Sequence, residues 1–396
     1  MPPAPDPTPG ARPFRVIDTG LRPGRTQIAF DQAMIDLHKA HAIPDTIRFL
    51  RFPPTVLVGR HQALSHEVRV AWCRANGIEM VRRITGGGAL WFDEGQLGWS
   101  LVFDRATLPI PSLSELARAI CEAAAAGLSK LGVDARYRPR NDIEVGGRKL
   151  SGTGGFFDGD TLFYQGTVLV DMDAQRMLAA LNVPEAKLAR RSLDSAAQRV
   201  VTLKELLGVA PPLAEIRAAL ISGFTEKLGI TAVVGAITNE EEALAQRYHD
   251  EEIGTDAFVE SIDDPAASGG DGLTAGSATP AGATSAGARV LSATRTGPGG
   301  TITAWVRLEG AGLARVREVL LTGDFFVAPP RTVLDLEAAL RGTAAADVRD
   351  TVRAFFESAK PGLLSVAPDD FAQVIVAAIE SACPPDAETS APGARP

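Results

Sequence analysis

The three consecutive glycines at residues 86–88 constrain this chain more than any other stretch, because glycine turns easily and lets a ligand approach the backbone. Arg82 and Arg83 stand just before them, and short apolar runs flank the stretch at residues 78–81 and 89–92. Guanidinium groups beside exposed amide N–H groups suit an anion such as a phosphate or a carboxylate. An ordinary turn between two strands explains the same pattern, so both interpretations stay open at this point.

Length and composition limit the classes of protein to which the chain can belong. Its 396 residues exceed what one hydrophobic core usually supports, so we expect two domains. The net charge of −8 offers no basic excess for non-specific nucleic-acid binding, and no apolar run is long enough to predict a membrane helix. Cys73, Cys121 and Cys383 are odd in number and far apart, which disfavours disulfides and zinc and indicates a reducing, cytoplasmic location.

The first two thirds of the chain alternate short apolar runs with helical patterns, which predicts an α/β fold with mixed sheets. Apolar spacing predicts helices at 27–38, 112–131, 202–207 and 212–228, and strands at 46–52, 55–59, 96–103 and 161–171. Leu97, Trp99, Leu101 and Phe103 alternate with other residues, so strand 96–103 is predicted to be half buried. Gly166 lies inside strand 161–171 and indicates a close approach by backbone or ligand.

A second informative stretch covers residues 141–152. Gly146 and Gly147 stand between two strand-like runs and predict a two-residue hairpin turn. In that register Glu144 lies opposite Lys149, and Asp142 shares their face of the hairpin. Two interpretations remain open, a surface ion pair worth under about 1 kcal/mol and a lysine held rigidly in a site beside carboxylates.

A change in composition divides the chain. Residues 263–288 are almost entirely Gly, Ala, Ser, Thr, Asp and Pro, which predicts a flexible linker. It would separate a catalytic domain at 14–262 from a small α+β domain at 289–382, which has strand patterns followed by helical ones. The ends of the chain, 1–13 and 383–396, are predicted to be disordered tails.

Taken together, these motifs resemble those of the lipoate-protein ligase family. The resemblance covers nearly the whole chain, including the glycine stretch with Asp93 and a C-terminal segment like the family's accessory domain. The matching stretches are residues 28–33, 59–62, 83–93, 141–143, 148–152, 165–167, 321–326 and 334–342.

The resemblance implies a biotin/lipoate ligase-like catalytic domain and an ATP-dependent, Mg²⁺-assisted reaction. Such enzymes activate lipoate to lipoyl-AMP and transfer the lipoyl group to a lysine of a carrier domain. The implied partners are lipoyl domains of 2-oxoacid dehydrogenase complexes or glycine cleavage H-type proteins, with no nucleic acid and no membrane. A cytoplasmic monomer is expected.

Roles in the site follow from the same resemblance, position by position. Lys149 corresponds to the lysine that the family shares between lipoate and ATP, and it is the predicted catalytic residue. The predicted ATP-binding residues are Arg83, Gly86, Gly87, Gly88, Ala89, Leu90, Trp91, Asn141, Asp142 and Lys149. The predicted lipoate-binding residues are Arg83, Thr85, Gly87, Gly88, Lys149 and Gln165. No residue is assigned to a metal.

Two departures from the family pattern keep other functions open. Phe92 and Gln165 stand where many members have histidine. The alternatives are an octanoyltransferase of the same fold, which uses a catalytic cysteine, and a non-catalytic lipoate-binding relative. No cysteine lies near Lys149 in the sequence, which disfavours the octanoyltransferase. Leu90, Trp99 and Leu101 fit either an acyl slot or the core.

Overall fold

A computed structural model describes residues 12–139, 141–182, 199–265, 290–297, 299–363 and 366–382. The predicted C-terminal tail, with Cys383, lies outside the described residues, as does most of the predicted linker. Arg12 and Pro13 were assigned to a disordered tail, and this was wrong, because the first strand already begins at Arg12. The division into two domains stays a prediction.

The described residues up to 265 form two sheets. Their strands are β1 (Arg12–Leu21), β2 (Thr46–Arg51), β3 (Thr55–Val58), β4 (Glu79–Arg82), β5 (Leu90–Phe92), β6 (Gln96–Asp104), β7 (Arg136–Arg138), β8 (Asp142–Val145), β9 (Arg148–Asp158), β10 (Thr161–Leu169) and β11 (Ile230–Val234). Eight strands make a mixed sheet in the order β11-β1-β2-β6-β10-β9-β8-β7, and the other three make a small sheet in the order β4-β3-β5. The predicted mixed α/β fold is confirmed.

Helices cover both faces of the large sheet and also pack on the small one. The described helices up to residue 265 are α1 (Gly24–Lys39), α2 (Leu64–Glu67), α3 (Val70–Ala75), α4 (Leu113–Ser129), α5 (Ala174–Ala180), α6 (Leu203–Leu207), α7 (Leu213–Leu228), α8 (Asn239–Glu251) and α9 (Asp256–Val259). Apolar side chains of α4 and α7 pack on one face around Trp99, and those of α1 and α8 pack on the other around Phe163. None of the described helices is both long and apolar enough to cross a membrane.

Strand β6 differs from its prediction. Residues 96–103 are buried on both faces, whereas their alternation indicated one solvated face. The reason is that β6 lies in the centre of the sheet, between β2 and β10, with helices above and below it. Central strands covered on both faces lose the polar side that alternation implies.

The hairpin between β8 and β9 forms as predicted. Gly146 and Gly147 adopt φ of 59° and 81°, and Glu144 pairs with Lys149 across the turn. Positive φ at both central residues is the geometry that favours glycine in a tight hairpin. The turn therefore fixes the position of Lys149, and a register shift between Ile143 and Glu144 sets the positions of the β9 residues that follow it.

The C-terminal region has its own core and its own sheets. Its strands are β12 (Leu291–Gly297), β13 (Gly300–Glu309), β14 (Arg315–Gly323), β15 (Val327–Ala328) and β16 (Gly362–Leu363), and its helices are α10 (Thr332–Leu340), α11 (Val348–Ala359) and α12 (Pro368–Glu380). Short 3₁₀ turns lie at Ala311–Leu313 and Ala345–Asp347. The three helices pack on the antiparallel sheet β12-β13-β14 around Leu336, Phe325 and Phe371. The predicted small α+β region is confirmed.

Candidate active site

A cavity of about 220 Å³ lies between the glycine stretch, strands β9 and β10 and the C-terminal region. Most of the polar side chains and glycines that line it come from the predicted motifs at residues 83–93, 141–152 and 165–167 or from Thr153 and Gly154 next to them. Its lining consists of Ile28, Leu50, Phe52, Leu57, Arg83, Thr85, Gly86, Gly87, Gly88, Ala89, Leu90, Phe92, Gly98, Trp99, Asn141, Lys149, Gly152, Thr153, Gly154, Gln165, Gly166, Thr167 and Phe326. The sequence motifs thus converge on one site.

Arg83 holds the glycine loop in place through hydrogen bonds from its guanidinium group. Its Nη2 donates to the carbonyl oxygens of Gly86 and Gly88 at 2.7 and 2.8 Å, and its Nε donates to Thr85 Oγ1 at 3.1 Å. Burial lowers the pKa of this guanidinium to about 10, which leaves it charged at neutral pH. With these donors engaged, Arg83 shapes the loop and adds a positive field beneath it.

The C-terminal region reaches the glycine loop directly. The amide N–H of Gly87 donates to the carbonyl oxygen of Phe325, with an N···O distance of 3.2 Å. Gly87 has a φ of 91°, and a Cβ at this position would lie 2.5 Å from Cζ of Phe326. This glycine is therefore required both by its backbone conformation and by the closeness of the Phe326 ring.

Lys149 stands on β9 with its ammonium beside a carboxylate. Its Nζ lies 2.8 Å from Oδ1 of Asp142, and its side chain is 38% exposed. Arg138 also pairs with Asp142, at 2.6 Å. Burial raises the pKa of Asp142, but Lys149 and Arg138 outweigh that effect, so the pKa lies below its ordinary value. The lysine is thus held in place by a carboxylate that stays ionised.

Two further predicted residues are fixed by neighbours. The side-chain amide of Asn141 donates to the carbonyl oxygen of Thr153 at 2.6 Å, and the backbone N–H of Thr153 donates back to the Asn141 carbonyl at 2.8 Å. Gln165 Nε2 donates to Thr85 Oγ1 at 2.9 Å, which ties β10 to the glycine loop. These bonds keep both polar side chains at the cavity wall.

The apolar residues of the cavity lining bear on a question left open by the sequence, whether Leu90, Trp99 and Leu101 lie at the site or in the core. Leu90 and Trp99 line the cavity, whereas Leu101 is buried in the core. Phe92, at one of the positions that departs from the family pattern, also lines it. The close approach at Gly166 is made by the Trp99 indole, since a Cβ there would overlap the ring.

Most predicted site residues line the cavity, but two do not. Asp142 contacts the cavity only through its ion pair with Lys149. Trp91 packs on α5 and donates from its indole Nε1 to Asp93 Oδ2 at 2.9 Å. The nucleotide contact expected of Trp91 is one through its backbone, and it stays a prediction.

Sequence reasoning missed Phe326 and the role of Arg82. Arg82 is fully buried and donates from Nη1 to the Gln62 carbonyl at 2.7 Å and from Nη2 to the Ile262 carbonyl at 2.8 Å. It therefore joins the loop after β3 to the end of the catalytic part of the chain. The doubled arginine before the glycines was the only signal, and it did not indicate that the two side chains have different tasks.

One cysteine lies closer to the site than the sequence suggested. Cys121 Sγ is 3.2 Å from Thr153 Oγ1 and 3.4 Å from the hydroxyl of Tyr164. The thiol is nevertheless buried in the core behind Thr153, does not line the cavity, and has its pKa raised by burial. Raising the pKa disfavours the thiolate that a nucleophile needs.

The family model for the lipoyl protein ligase A/B catalytic domain matches residues 23–225, which contain the glycine loop, Lys149 and Gln165. The chain belongs to this family. It is accordingly an enzyme of the group that transfers lipoyl or octanoyl groups.

Relatives of this family member divide between two activities. Octanoyltransferase LipM of Symbiobacterium thermophilum is 32% identical over 61% of this chain and 96% of its own length. A bi-partite lipoate protein ligase of Thermoplasma acidophilum, studied with its E2 lipoyl domain, is 28% identical with a TM-score of 0.56, over 64% of this chain and 98% of its own. At this level of identity, both activities are represented.

The likeness in fold extends into the C-terminal region. LipL1 of P. falciparum, solved in complex with lipoate, matches 93% of this chain and 99% of its own at a TM-score of 0.64. The identity of 12% makes this a likeness of fold alone. The likeness to that protein therefore includes residues of the C-terminal region, whereas the LipM relative aligns with only 61% of the chain.

Proposed function

We propose that this chain is an ATP-dependent lipoate-protein ligase, which activates lipoate to lipoyl-AMP and transfers the lipoyl group to a carrier lysine. The observation that carries the proposal is the Lys149 ammonium, held by Asp142 at the wall of a cavity that also contains the glycine loop. A fixed cation beside a glycine loop suits two anions that must be brought together.

The first step would join those anions. The lipoate carboxylate attacks the α-phosphate of ATP, the bond to the β-phosphate breaks, and pyrophosphate leaves. Lys149 is placed to contact both the carboxylate and the α-phosphate and to stabilise the charge that develops between them. Arg83 holds the carbonyl oxygens of Gly86 and Gly88 and so orders the loop that would receive the phosphates.

The second step would need no further cofactor. The neutral amine of a carrier lysine attacks the acyl carbonyl, AMP leaves, and an amide bond forms. Carrier lysines of lipoyl domains or H-type proteins are the partners we propose, in agreement with the E2 lipoyl domain studied with the Thermoplasma ligase.

Mg²⁺ would arrive with the nucleotide. Among the described residues, no group of three or more His, Cys, Asp or Glu side chains is arranged to hold a metal ion. Mg²⁺ commonly keeps its waters and binds through substrate phosphates. It would therefore offset phosphate charge while the protein holds the loop and Lys149.

The second candidate is an octanoyltransferase, favoured by the similarity to LipM. That activity would require a thiolate in the cavity, and the described cysteines, Cys73 and Cys121, are buried and do not line it. A non-catalytic lipoate-binding protein is a third possibility, since Phe92 and Gln165 depart from the family pattern. The three candidates differ in whether they consume ATP and in whether they transfer octanoyl groups from a carrier protein.

Two assays, run side by side, separate the three candidate functions. Pyrophosphate release would be measured with lipoate, octanoate and biotin, alongside octanoyl transfer from an octanoylated carrier protein without ATP. A ligase releases pyrophosphate with lipoate, and biotin serves as the negative control. Transfer without ATP that is lost in Cys121→Ser would instead identify an octanoyltransferase, and lipoate binding without either reaction would identify the non-catalytic relative.

A further inference from the structure

One aromatic ring of the C-terminal region forms part of the substrate cavity. Phe326 follows β14 in the chain, yet it lies against the glycine loop and β9. A Cβ on Gly87 would be 2.5 Å from its Cζ, and a Cβ on Gly154 would be 2.8 Å from its Cε1. The ring therefore fills the gap between the loop and the sheet, at a point where both contribute glycine.

The Phe326 ring is closely packed on a further side. The space that it shares with Gly86, Gly155, Val327 and Ala328 is too narrow to admit a water molecule. β15, which carries Val327 and Ala328, is paired with β16 and so is fixed in place. A substrate that needs the space of the Phe326 ring must therefore displace β15 together with the ring.

The Phe326 ring also lines a second cavity. This cavity has a volume of about 380 Å³ and is walled by Ser114, Tyr137, Tyr164 and Asp324 among others. The residues that it shares with the first cavity are Gly88, Asn141, Gly154 and Phe326. Since the other three are backbone or a hydrogen-bonded amide, Phe326 supplies the only large side chain of this shared wall.

We propose that Phe326 is a specificity-determining residue, whose ring limits the size of the carboxylic acid that the first cavity accepts. The inference rests on the proposed function, because it takes this cavity to hold the acyl chain with its far end against Phe326. It implies that the C-terminal region helps to choose the acid as well as to enclose it. A cavity of about 220 Å³ is small beside common ligand pockets of roughly 300–1,000 Å³, so one ring matters.

Substitutions at this position should change selectivity in opposite directions. Phe326→Ala joins the two cavities and should raise the preference for dodecanoate over octanoate by about tenfold or more, since added methylenes gain space. Phe326→Leu should act in the same direction with a smaller effect and keeps more of the packing. Phe326→Trp places a larger ring in the wall of the first cavity. It should therefore shift the preference toward hexanoate.

The test uses the full chain and two readouts. Calorimetry without ATP gives the affinities for hexanoate, octanoate, lipoate and dodecanoate, and pyrophosphate release gives kcat/KM for the same acids. Phe355→Ala is the matched control, because Phe355 belongs to the same region but packs against Phe356 and lines neither cavity. Melting temperatures show whether each variant is folded.

The outcomes separate this inference from the proposed function. A changed dodecanoate-to-octanoate ratio in Phe326→Ala or Phe326→Leu, with an unchanged ratio in Phe355→Ala, supports the inference. Ratios that stay at the wild-type value in all three Phe326 variants overturn it. If the wild type binds acids selectively but releases no pyrophosphate, the ligase proposal fails, while the binding ratios still decide the role of Phe326.

Discussion

The position of Lys149 gives a sharp prediction at the scale of one residue. Lys149→Ala should lower adenylate formation by about 10²–10³-fold, because the cation between carboxylate and α-phosphate is lost. Stability should change by less than about 1 kcal/mol, since the ion pair is partly exposed and Asp142 keeps Arg138 as a partner. Pyrophosphate release and thermal unfolding measure the two effects.

A lysine outside the cavity provides the control for that experiment. Lys204 pairs with Asp171 at 2.8 Å and is exposed. Lys204→Ala should leave adenylate formation unchanged while removing an ion pair of similar length. Adenylation by Lys149→Ala at near the wild-type rate would show that Lys149 is only a surface partner of Asp142.

His61 predicts a pH dependence of stability. Its ring is buried, stacks on Phe325 with a centroid distance of 5.3 Å, and has no hydrogen-bond partner for either nitrogen among the described residues. Burial lowers its pKa from 6.5 to about 3, helped by Arg60 and Arg82. The folded chain thus holds the neutral ring, so stability falls as the pH falls below 6.5, by up to about 1.4 kcal/mol per pH unit.

Glu337 shifts in the opposite direction and must be separated from His61. Burial raises its pKa from 4.5 to about 8, so its contribution is present below pH 4.5 and is lost as the pH rises toward 8. His61→Phe removes the pH dependence of stability that is due to His61 and leaves the part due to Glu337. The difference in unfolding free energy between this variant and the wild type should therefore grow below pH 6.5. A difference that is constant from pH 4 to 8 would contradict the prediction.

At the scale of elements, the glycine loop is predicted to depend on Gly87 for more than its φ. Gly87→Ala must displace the Phe326 ring as well as adopt positive φ, so it should weaken the contact between the loop and the C-terminal region. Hydrogen exchange at the Gly323 amide, which donates to the His61 carbonyl at 3.0 Å, reports on that contact.

Gly159 is the matched control for Gly87. It has a φ of 61° and no atom within 4 Å of a built Cβ, so Gly159→Ala is affected only by backbone strain of about 1–2 kcal/mol. Exchange at Gly323 should quicken in Gly87→Ala and stay unchanged in Gly159→Ala. Equal exchange in both variants would mean that the Phe326 ring adapts without loosening the contact.

Elements governed by local chemistry could be predicted from the sequence. The turn at Gly146 and Gly147 and the start of α4 at Ser112, whose side chain accepts from the Glu115 amide, depend on residues a few positions apart. Strand β1 was missed, because it is held by parallel pairing with β2 and with the distant β11. Nothing local in residues 12–21 encodes those partners.

The same distinction holds for the site. Lys149, Gln165 and the glycine loop could be found because they lie in recognisable motifs. They line one cavity, and their roles in binding stay a prediction. Phe326 could not, because its contact with Gly87 joins parts of the chain that only the tertiary fold brings together. The position of Cys121 behind Thr153 is another such contact.

For the whole molecule, we predict that the C-terminal region is needed for activation and not for transfer. A chain ending after residue 265 should fail to form lipoyl-AMP from ATP, because the cavity is left open to water on the Phe326 side. It should still transfer the lipoyl group from preformed lipoyl-AMP to a carrier. Activation by the shortened chain at the full rate would refute this division.

The end point of that truncation follows from the structure. A boundary at residue 262 would remove Asp263, which accepts from the backbone N–H of Ser65 at 2.8 Å. It would also remove the Asp264 partner of His66, at 2.7 Å. Both contacts stabilise the start of α2, so the shortened chain should include residue 265. Circular dichroism and the melting temperature check that it is folded.

The apolar cluster that contains Ile262 and Val290 has a consequence for gene architecture. These residues, together with Leu320 and Trp305, pack on one another, so the chain departs from and returns to the same patch of surface. The cavity residues described above all lie outside the intervening stretch. We therefore expect that a gene for this protein can be lengthened or shortened within that stretch without changing the residues that line the cavity.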